Sequence, residues 1–198
     1  MLWNSVVCNL RTTTGSRPRS RQGSPVVEAI KYSAVESQRD GRRIEIRALT
    51  PDDKADLIAA VGRTSAQSLY RRFFGFKRDL SEKEIAFFLN VDFTNHVALI
   101  AVAEEGGRRV IVGGGRYVVV RPPVAEVAFA VVDEYQGQGI GAALLRHLAT
   151  IARNAGLKEL IAEVLPDNIA MLKVFEKSGL RSNMKLETGV IHVRLQLF

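Results

Sequence analysis

The sequence predicts a mixed α/β domain: a twisted, mostly antiparallel sheet of about seven strands with about four helices. Three features predict it. The apolar runs His96 to Ala103 and Val110 to Val120 flank Glu104-Glu105-Gly106-Gly107-Arg108-Arg109, the pattern of a β-hairpin. Val124 to Val132 is a buried-strand run, rich in Val and Phe and apolar except for Glu126. It leads through a glycine-rich turn into a helix and a further strand, Leu160 to Leu165, which is the order of a parallel crossover.

At 198 residues the chain suits one domain with an adequate core, and its 46% apolar and 25% charged residues are ordinary for a globular protein. Residues 1–43 read as a basic, disordered tail and residues 44–198 as the folded domain. Residues 1–27 hold Arg11, Arg17, Arg19 and Arg21 and no acid, so they carry +4 of the net +7. This composition also matches an organellar transit peptide or a nucleic-acid arm, and a dispensable tail is preferred. A secretory signal is not expected, because no basic leader precedes the first apolar residues. The one cysteine, Cys8, permits no internal disulfide and fits a reducing, cytoplasmic setting. His96, His147 and His192 lack ligand spacing, so no metal is expected. No apolar run reaches the length of a membrane span.

The domain opens with Ile44 and Ile46 alternating with Glu45 and Arg47 as a strand. Thr50-Pro51-Asp52-Asp53 starts a helix to about Val61, and a second spans Ser65 to Phe73. Ser81 and Glu84 form a capping box for a third, through Leu89. Gly113-Gly114-Gly115 inside a strand signals a bulge or a close backbone approach. A last helix runs from Asn168 to Gly179, and Arg181 to Glu187 with Val190 to Phe198 makes a terminal hairpin about Thr188-Gly189.

The turn is Gln136-Gly137-Gln138-Gly139-Ile140-Gly141, and Ile140, Leu144, Leu148, Ile151 and Ala155 behind it mark one helix face. Backbone N–H groups gathered before a helix N-terminus suit a phosphate or pyrophosphate. Gly137, Gly139 and Ala142 also satisfy a dinucleotide fingerprint. Four residues separate the strand from the first glycine, however, and too little chain follows for the second half of such a fold. A purely structural turn is the remaining reading, although three glycines cost backbone entropy.

The Q-x-x-G-x-G pattern of Gln136, Gly139 and Gly141 resembles the acyl-CoA pyrophosphate loop of the GNAT superfamily of N-acetyltransferases. The family's N-x-x-A-x-x-x-Y-E-K-x-G-F tail is matched by Asn168, Met171, Phe175, Glu176, Lys177, Gly179 and Leu180. SLYRRFF with LSEKEI, VDFTNHVALIAV and AEVAFAVVDEYQGQGIG further resemble the catalytic domain of bacterial Pat-type protein lysine acetyltransferases, over roughly residues 44 to 198. The resemblance implies acetyl-CoA as co-substrate and a primary amine as acceptor, such as a protein lysine on an acyl-CoA synthetase. Neither a membrane nor a nucleic acid is an expected partner. A small-amine acetyltransferase on the same fold and a non-catalytic acyl-CoA-binding protein remain alternatives.

The resemblance also implies roles for residues. Backbone atoms of Phe129, Val131 and Val132 would pair with the pantetheine arm, with a main-chain N–H near Val131 facing the thioester oxygen. Gln136, Gly137, Gln138, Gly139, Ile140 and Gly141 would hold the pyrophosphate, and Asn168 the arm, the latter also reading as a helix N-cap. Glu126 is the candidate base, alone among apolar neighbours that would raise its pKa, and Glu163 is the reserve. Asp133 and Glu134 are expected in solvent. Phe175 takes the place of the family's tyrosine beside the cofactor and cannot donate a proton to the departing thiolate.

Overall fold

The computed structural model describes residues 25–38 and 41–198. The tail expectation for residues 1–24 falls outside them. Eight strands form one sheet, in the order β1-β2-β3-β4-β5-β6-β8-β7. They are β1 (Ser33–Ser37), β2 (Arg43–Ala48), β3 (His96–Glu105), β4 (Arg108–Arg121), β5 (Val124–Val131), β6 (Glu159–Val164), β7 (Arg181–Glu187) and β8 (Val190–Gln196). Among the described strands only the β5–β6 pair is parallel. Among the described residues six α-helices accompany them: α1 (Pro25–Ile30), α2 (Lys54–Gly62), α3 (Ala66–Phe73), α4 (Glu82–Leu89), α5 (Ile140–Asn154) and α6 (Ile169–Glu176).

The expected domain start at residue 44 lies too late. Residues 33–37 pair antiparallel with residues 43–47, and Ala29 of α1 is buried in the main core. The anchor is polar, which is why no apolar pattern announces it. Tyr32 Oη donates to His147 Nδ1 on α5 at 2.5 Å, and His147 Nε2 bonds Glu36 Oε1 at 2.7 Å. Arg146 reaches the same carboxylate oxygen at 2.7 Å.

Helices cover both faces of the sheet. On one face Leu144, Leu145 and Leu148 of α5 pack on Val97 and Leu99 of β3 and on Val127 and Phe129 of β5. On the other, α2 sits over Ala98, Ile100 and Ile111, while α3 and α4 lie beside it. Strand β3 is therefore buried on both sides, which explains its unbroken apolar run.

The local start signals hold. Ser81 and Glu84 form their capping box, and Ser65 Oγ accepts from Ser68 N. Thr50 N and Oγ1 donate to Asp53, whose carboxylate also takes two bonds from Arg47. Both readings of the glycine triplet are realised. Val112 is an extra residue in β4 opposite Ala101 and Val102, a bulge. A Cβ at Gly115 would lie 2.6 Å from Phe129 Cδ1, and one at Gly113 would lie 3.2 Å from Ala130 O. The glycines let β5 and the first turn of α5 close onto β4.

Candidate active site

Strands β5 and β6 pair over only three residues, Val124 with Glu159 through Glu126 with Ile161. Beyond that point they part, and Val127 to Val131 keep one free backbone edge. Val131 shows which way that edge faces. Its carbonyl accepts from Gln136 Nε2 at 3.0 Å, while the next N–H, that of Val132, bonds back to Val112 O in β4 at 2.9 Å. In an extended strand a residue's N–H and C=O point to the same edge. The Val131 N–H thus faces the gap, and alternation turns Phe129 the same way. An exposed strand edge of this kind offers main-chain hydrogen bonds to an extended, amide-containing ligand.

The glycine-rich loop closes the gap at one end. Gly137 and Gly139 have φ of 75° and 90°, the left-handed region that glycine enters freely, and a Cβ at either would meet only open space. Gly139 caps α5 with no side-chain hydrogen bond, so the first N–H groups of a 15-residue helix are left for a ligand. Gln136 also donates to Ser68 Oγ at 3.0 Å, and Gln138 bonds Glu134 O and Arg42 Nη2.

Helix α3 braces both motifs from the side. Asp133 is exposed yet fully engaged: it accepts from Ser65 N at 2.7 Å, Ser65 Oγ at 2.8 Å and Ser68 Oγ at 2.8 Å. Glu134 pairs with Arg63 at 2.6 Å. As expected, Asp133 and Glu134 both lie at the solvent-exposed surface, and folding brings the start of α3 against this turn to give each a partner there. At the far end of α3, Arg71 bonds the Asp167 carboxylate at 3.0 Å, one residue before Asn168. Asn168 itself caps α6, with Oδ1 accepting from Met171 N at 3.2 Å. Phe175 is 1% exposed and its ring centroid lies 6.2 Å from that of Phe129, so its ring belongs to the core beneath β5. Placing that ring against the cofactor, as the resemblance implied, is corrected to support of the strand.

Glu126 projects from β5 on the side of α2–α4, together with Ala128 and Ala130. It is 7% exposed, and its Oε2 has no hydrogen-bond partner. Burial raises its pKa, nearby Glu163 raises it further, and Arg72 pulls it back in part. Glu163 lies on the same face, two residues past Ile161, the partner of Glu126. Its Oε1 is 3.7 Å from His192 Nδ1. Both candidate bases thus reach one place, and Glu126 is the more deeply buried of the two.

The structure adds residues that the sequence reading did not select. Arg42 approaches the loop from the start of β2, and nothing in its neighbourhood signals this. Arg116 had a signal: it is the one charged residue between Val110 and Val120, the same mark that singled out Glu126.

Comparison with known proteins identifies the family. A model of the acetyltransferase (GNAT) family matches residues 63–180. The chain belongs to this family. It is 32% identical over 143 residues to acetyltransferase Pat of Mycolicibacterium smegmatis, covering 71% of this chain and 42% of that protein. It is 31% identical over 138 residues to acetyltransferase PA5475 of Pseudomonas aeruginosa, covering 69% of this chain and 74% of that protein. The crystal structure of the GNAT domain of S. lividans PAT superposes with a TM-score of 0.75 at 35% identity, over 83% of this chain and 96% of that domain. The chain thus spans less than half the length of its mycobacterial relative. Acetyl-CoA is the donor used by this family, and the open glycine loop and the free edge of β5 fit its pyrophosphate and its amide-bearing arm. Among the described residues no helix is long and apolar enough to cross a membrane.

Proposed function

We propose that this GNAT domain transfers the acetyl group of acetyl-CoA to a protein lysine in the cytoplasm, with Glu126 as general base. The observation that carries the reading is the Glu126 carboxylate: buried, with one oxygen unpartnered, and held above the usual carboxylate range chiefly by burial. A lysine amine, with a pKa of about 10.4, is protonated at neutral pH and must lose a proton before it attacks. Glu126 Oε2 accepts that proton, directly or through one water.

For the donor we assign the backbone of Phe129 and Val131 to the pantetheine arm and residues 136–141 to the pyrophosphate, with Asn168 beside the arm. The expectation for Val132 is corrected, because its N–H bonds Val112 O and its carbonyl accepts from Tyr135 N. The Val131 N–H meets the oxygen of the thioester as its charge develops. The C–N bond forms, the C–S bond breaks, and the thiolate leaves. Phe175 cannot supply its proton, so water does; a thiol with a pKa of about 8.5 is a tolerable leaving group without help. The lysine acceptor is supported by the likeness to Pat and by α3, which walls the Glu126 side with Arg71, Arg72 and the exposed ring of Tyr70, and by the exposed ring of Phe76 in the turn after it.

The test is incubation of the full chain with labelled acetyl-CoA and cell lysate, beside Glu126→Gln. Labelled protein lysines with the wild type, and a loss of turnover of about 10² to 10⁴ with cofactor binding retained in the variant, are expected. Turnover of free polyamines with no labelled protein would replace the acceptor assignment. Retained CoA affinity with no thiol release for any amine would leave a binding protein.

A further inference from the structure

The face that carries Glu126 also holds two guanidinium groups, and the acetyl transfer described above assigns neither of them a bond to a substrate. Arg116, on β4, is 8% exposed. Its Nη1 donates to His96 Nε2 at 3.0 Å and to Phe88 O at 3.4 Å, and its guanidinium lies 4.2 Å from the centroid of the Phe88 ring. Every one of these partners is neutral. His96 is kept uncharged by burial and by Arg116 itself, with a pKa lowered to about 4. Its Nδ1 is 3.2 Å from Asn90 O, so that nitrogen carries the proton and Nε2 accepts. Among the described residues no carboxylate forms a hydrogen bond or an ion pair with Arg116. The charge that acts on it is another cation, Arg72 of α3, which is itself within reach of the Glu126 carboxylate.

Arg72 and Arg116 both line one small cavity of about 90 Å³, between α2–α4 and strands β4 and β5. Gly114, Ala128 and Ala130 form its floor, and Leu69 and Phe73 stand in its wall. A buried charge facing neutral partners and a like charge is poorly compensated, because desolvation is repaid only by an opposite charge in good geometry. An anion placed between the two groups supplies that charge. Two planar forks of N–H donors suit a carboxylate in particular.

We propose that this cavity is a carboxylate subsite of the acetyl-transfer centre, in which Arg116 and Arg72 receive a carboxylate carried by one of the two substrates. Its position sets the length of that substrate. Ala128 is the next residue after Glu126 on the same face of β5, about 7 Å along the strand. The cavity has room for about three water-sized volumes, enough for a carboxylate with one or two methylenes. The carboxylate thus stands a few bonds from the reacting carbon or nitrogen, on a dicarboxylic acyl group or on an acidic amine acceptor. Small walls at Gly114, Ala128 and Ala130 admit it, and Leu69 and Phe73 exclude water around it.

The subsite rests on the acetyl-transfer reading but not on the choice of base or of a lysine acceptor. The experiment therefore measures affinity as well as turnover. In the first arm the full chain is titrated calorimetrically with acetyl-CoA and with succinyl-CoA. In the second, acetyl-CoA turnover is measured with 4-aminobutyrate and with its carboxamide, and with lysine peptides bearing glutamate or glutamine beside the lysine. A preference of tenfold or more for the carboxylate-bearing member is expected in one arm, which names the source. Arg72→Gln and Arg116→Met should reduce it below twofold. Arg116→Lys, which keeps the charge without the fork, should retain part of it. Should Arg116→Met fail to fold, Arg72→Gln decides alone. Equal treatment of both members in both arms, or a preference unchanged in Arg72→Gln, overturns the subsite. Glu126→Gln separates the two readings: loss of turnover with the calorimetric preference intact leaves the subsite standing whatever becomes of the base.

Discussion

Gln136 donates its side-chain N–H to the carbonyl of Val131 at 3.0 Å, spanning the four residues between the end of β5 and the glycine loop. This bond occupies the carbonyl at the end of the free strand edge and holds the loop against it. Gln136→Glu replaces the donor with a carboxylate facing a carbonyl oxygen, and adds a negative charge where a pyrophosphate docks. The dissociation constant for acetyl-CoA should rise tenfold or more, about 1.4 kcal/mol per tenfold, with little change in melting temperature. Calorimetric titration measures it; unchanged affinity in the folded variant would remove the loop from the cofactor site.

Gly139 and Gly141 should separate strain from occupancy. Gly139 sits at φ 90°, so Gly139→Ala costs about 1 kcal/mol in backbone strain even without a ligand. Gly141 has ordinary helical geometry, and an added Cβ would make only normal contact with Val174 Cγ2 at 3.6 Å. Gly141→Ala should therefore melt like the wild type. Gly141→Glu, which sends a carboxylate toward the helix N-terminus, should weaken acetyl-CoA tenfold or more.

Glu126 gives a prediction in pH with a definite sign. Its folded pKa is raised, so its contribution to stability is fully present below the unfolded pKa and is lost as pH rises through the folded one. Glu126→Gln should accordingly melt higher than the wild type at pH 8, by about 2–4 °C for each kcal/mol relieved, and converge with it near pH 4. The acidic limb of the wild-type rate profile should report the raised carboxylate and vanish in the variant. Because Arg72 lowers this pKa, Arg72→Gln should move the limb to higher pH. A limb unmoved by either variant, together with a catalytic defect in Glu163→Gln, would shift the role of base to β6.

His96 is lowered from 6.5 to about 4, first by burial and then by Arg116. Its contribution is present above pH 6.5 and is lost as pH falls through that window, because the unfolded chain binds the proton first. Melting temperature should fall between pH 6.5 and 4, and His96→Gln should flatten part of that slope. A slope identical in the variant would assign acid sensitivity to the carboxylates instead.

Gly115 tests the closure of β5 on β4. A Cβ there would stand 2.6 and 2.9 Å from two atoms of the Phe129 ring and 3.1 Å from Leu148 Cδ1. Gly115→Ala should destabilise by about 1–3 kcal/mol as an overpacked core. It should also raise KM for acetyl-CoA by displacing the free edge of Phe129 and Val131. Normal stability would mean that the ring yields without moving its strand.

The sequence by itself determined the elements whose signals are local. Thr50, Ser65 and Ser81 marked three helix starts, the glycine loop marked the turn into α5, and the Val-rich runs marked β3, β4 and β5. It also singled out Glu126, because one charge in an apolar strand is visible without a structure, and Arg116 carried the same mark unread. Only the tertiary structure decided that β1 joins the sheet, since its anchor is the contact of Tyr32 and Glu36 with His147, more than a hundred residues away. It likewise decided that Asp133 braces α3, that Phe175 turns into the core, and that Arg72, Arg116, Glu126 and Glu163 converge on one face. Periodicity and capping act through neighbours along the chain, so they can be read in order. Pairing register and the meeting of charges across a sheet depend on which segments pack together, and no single segment holds that information.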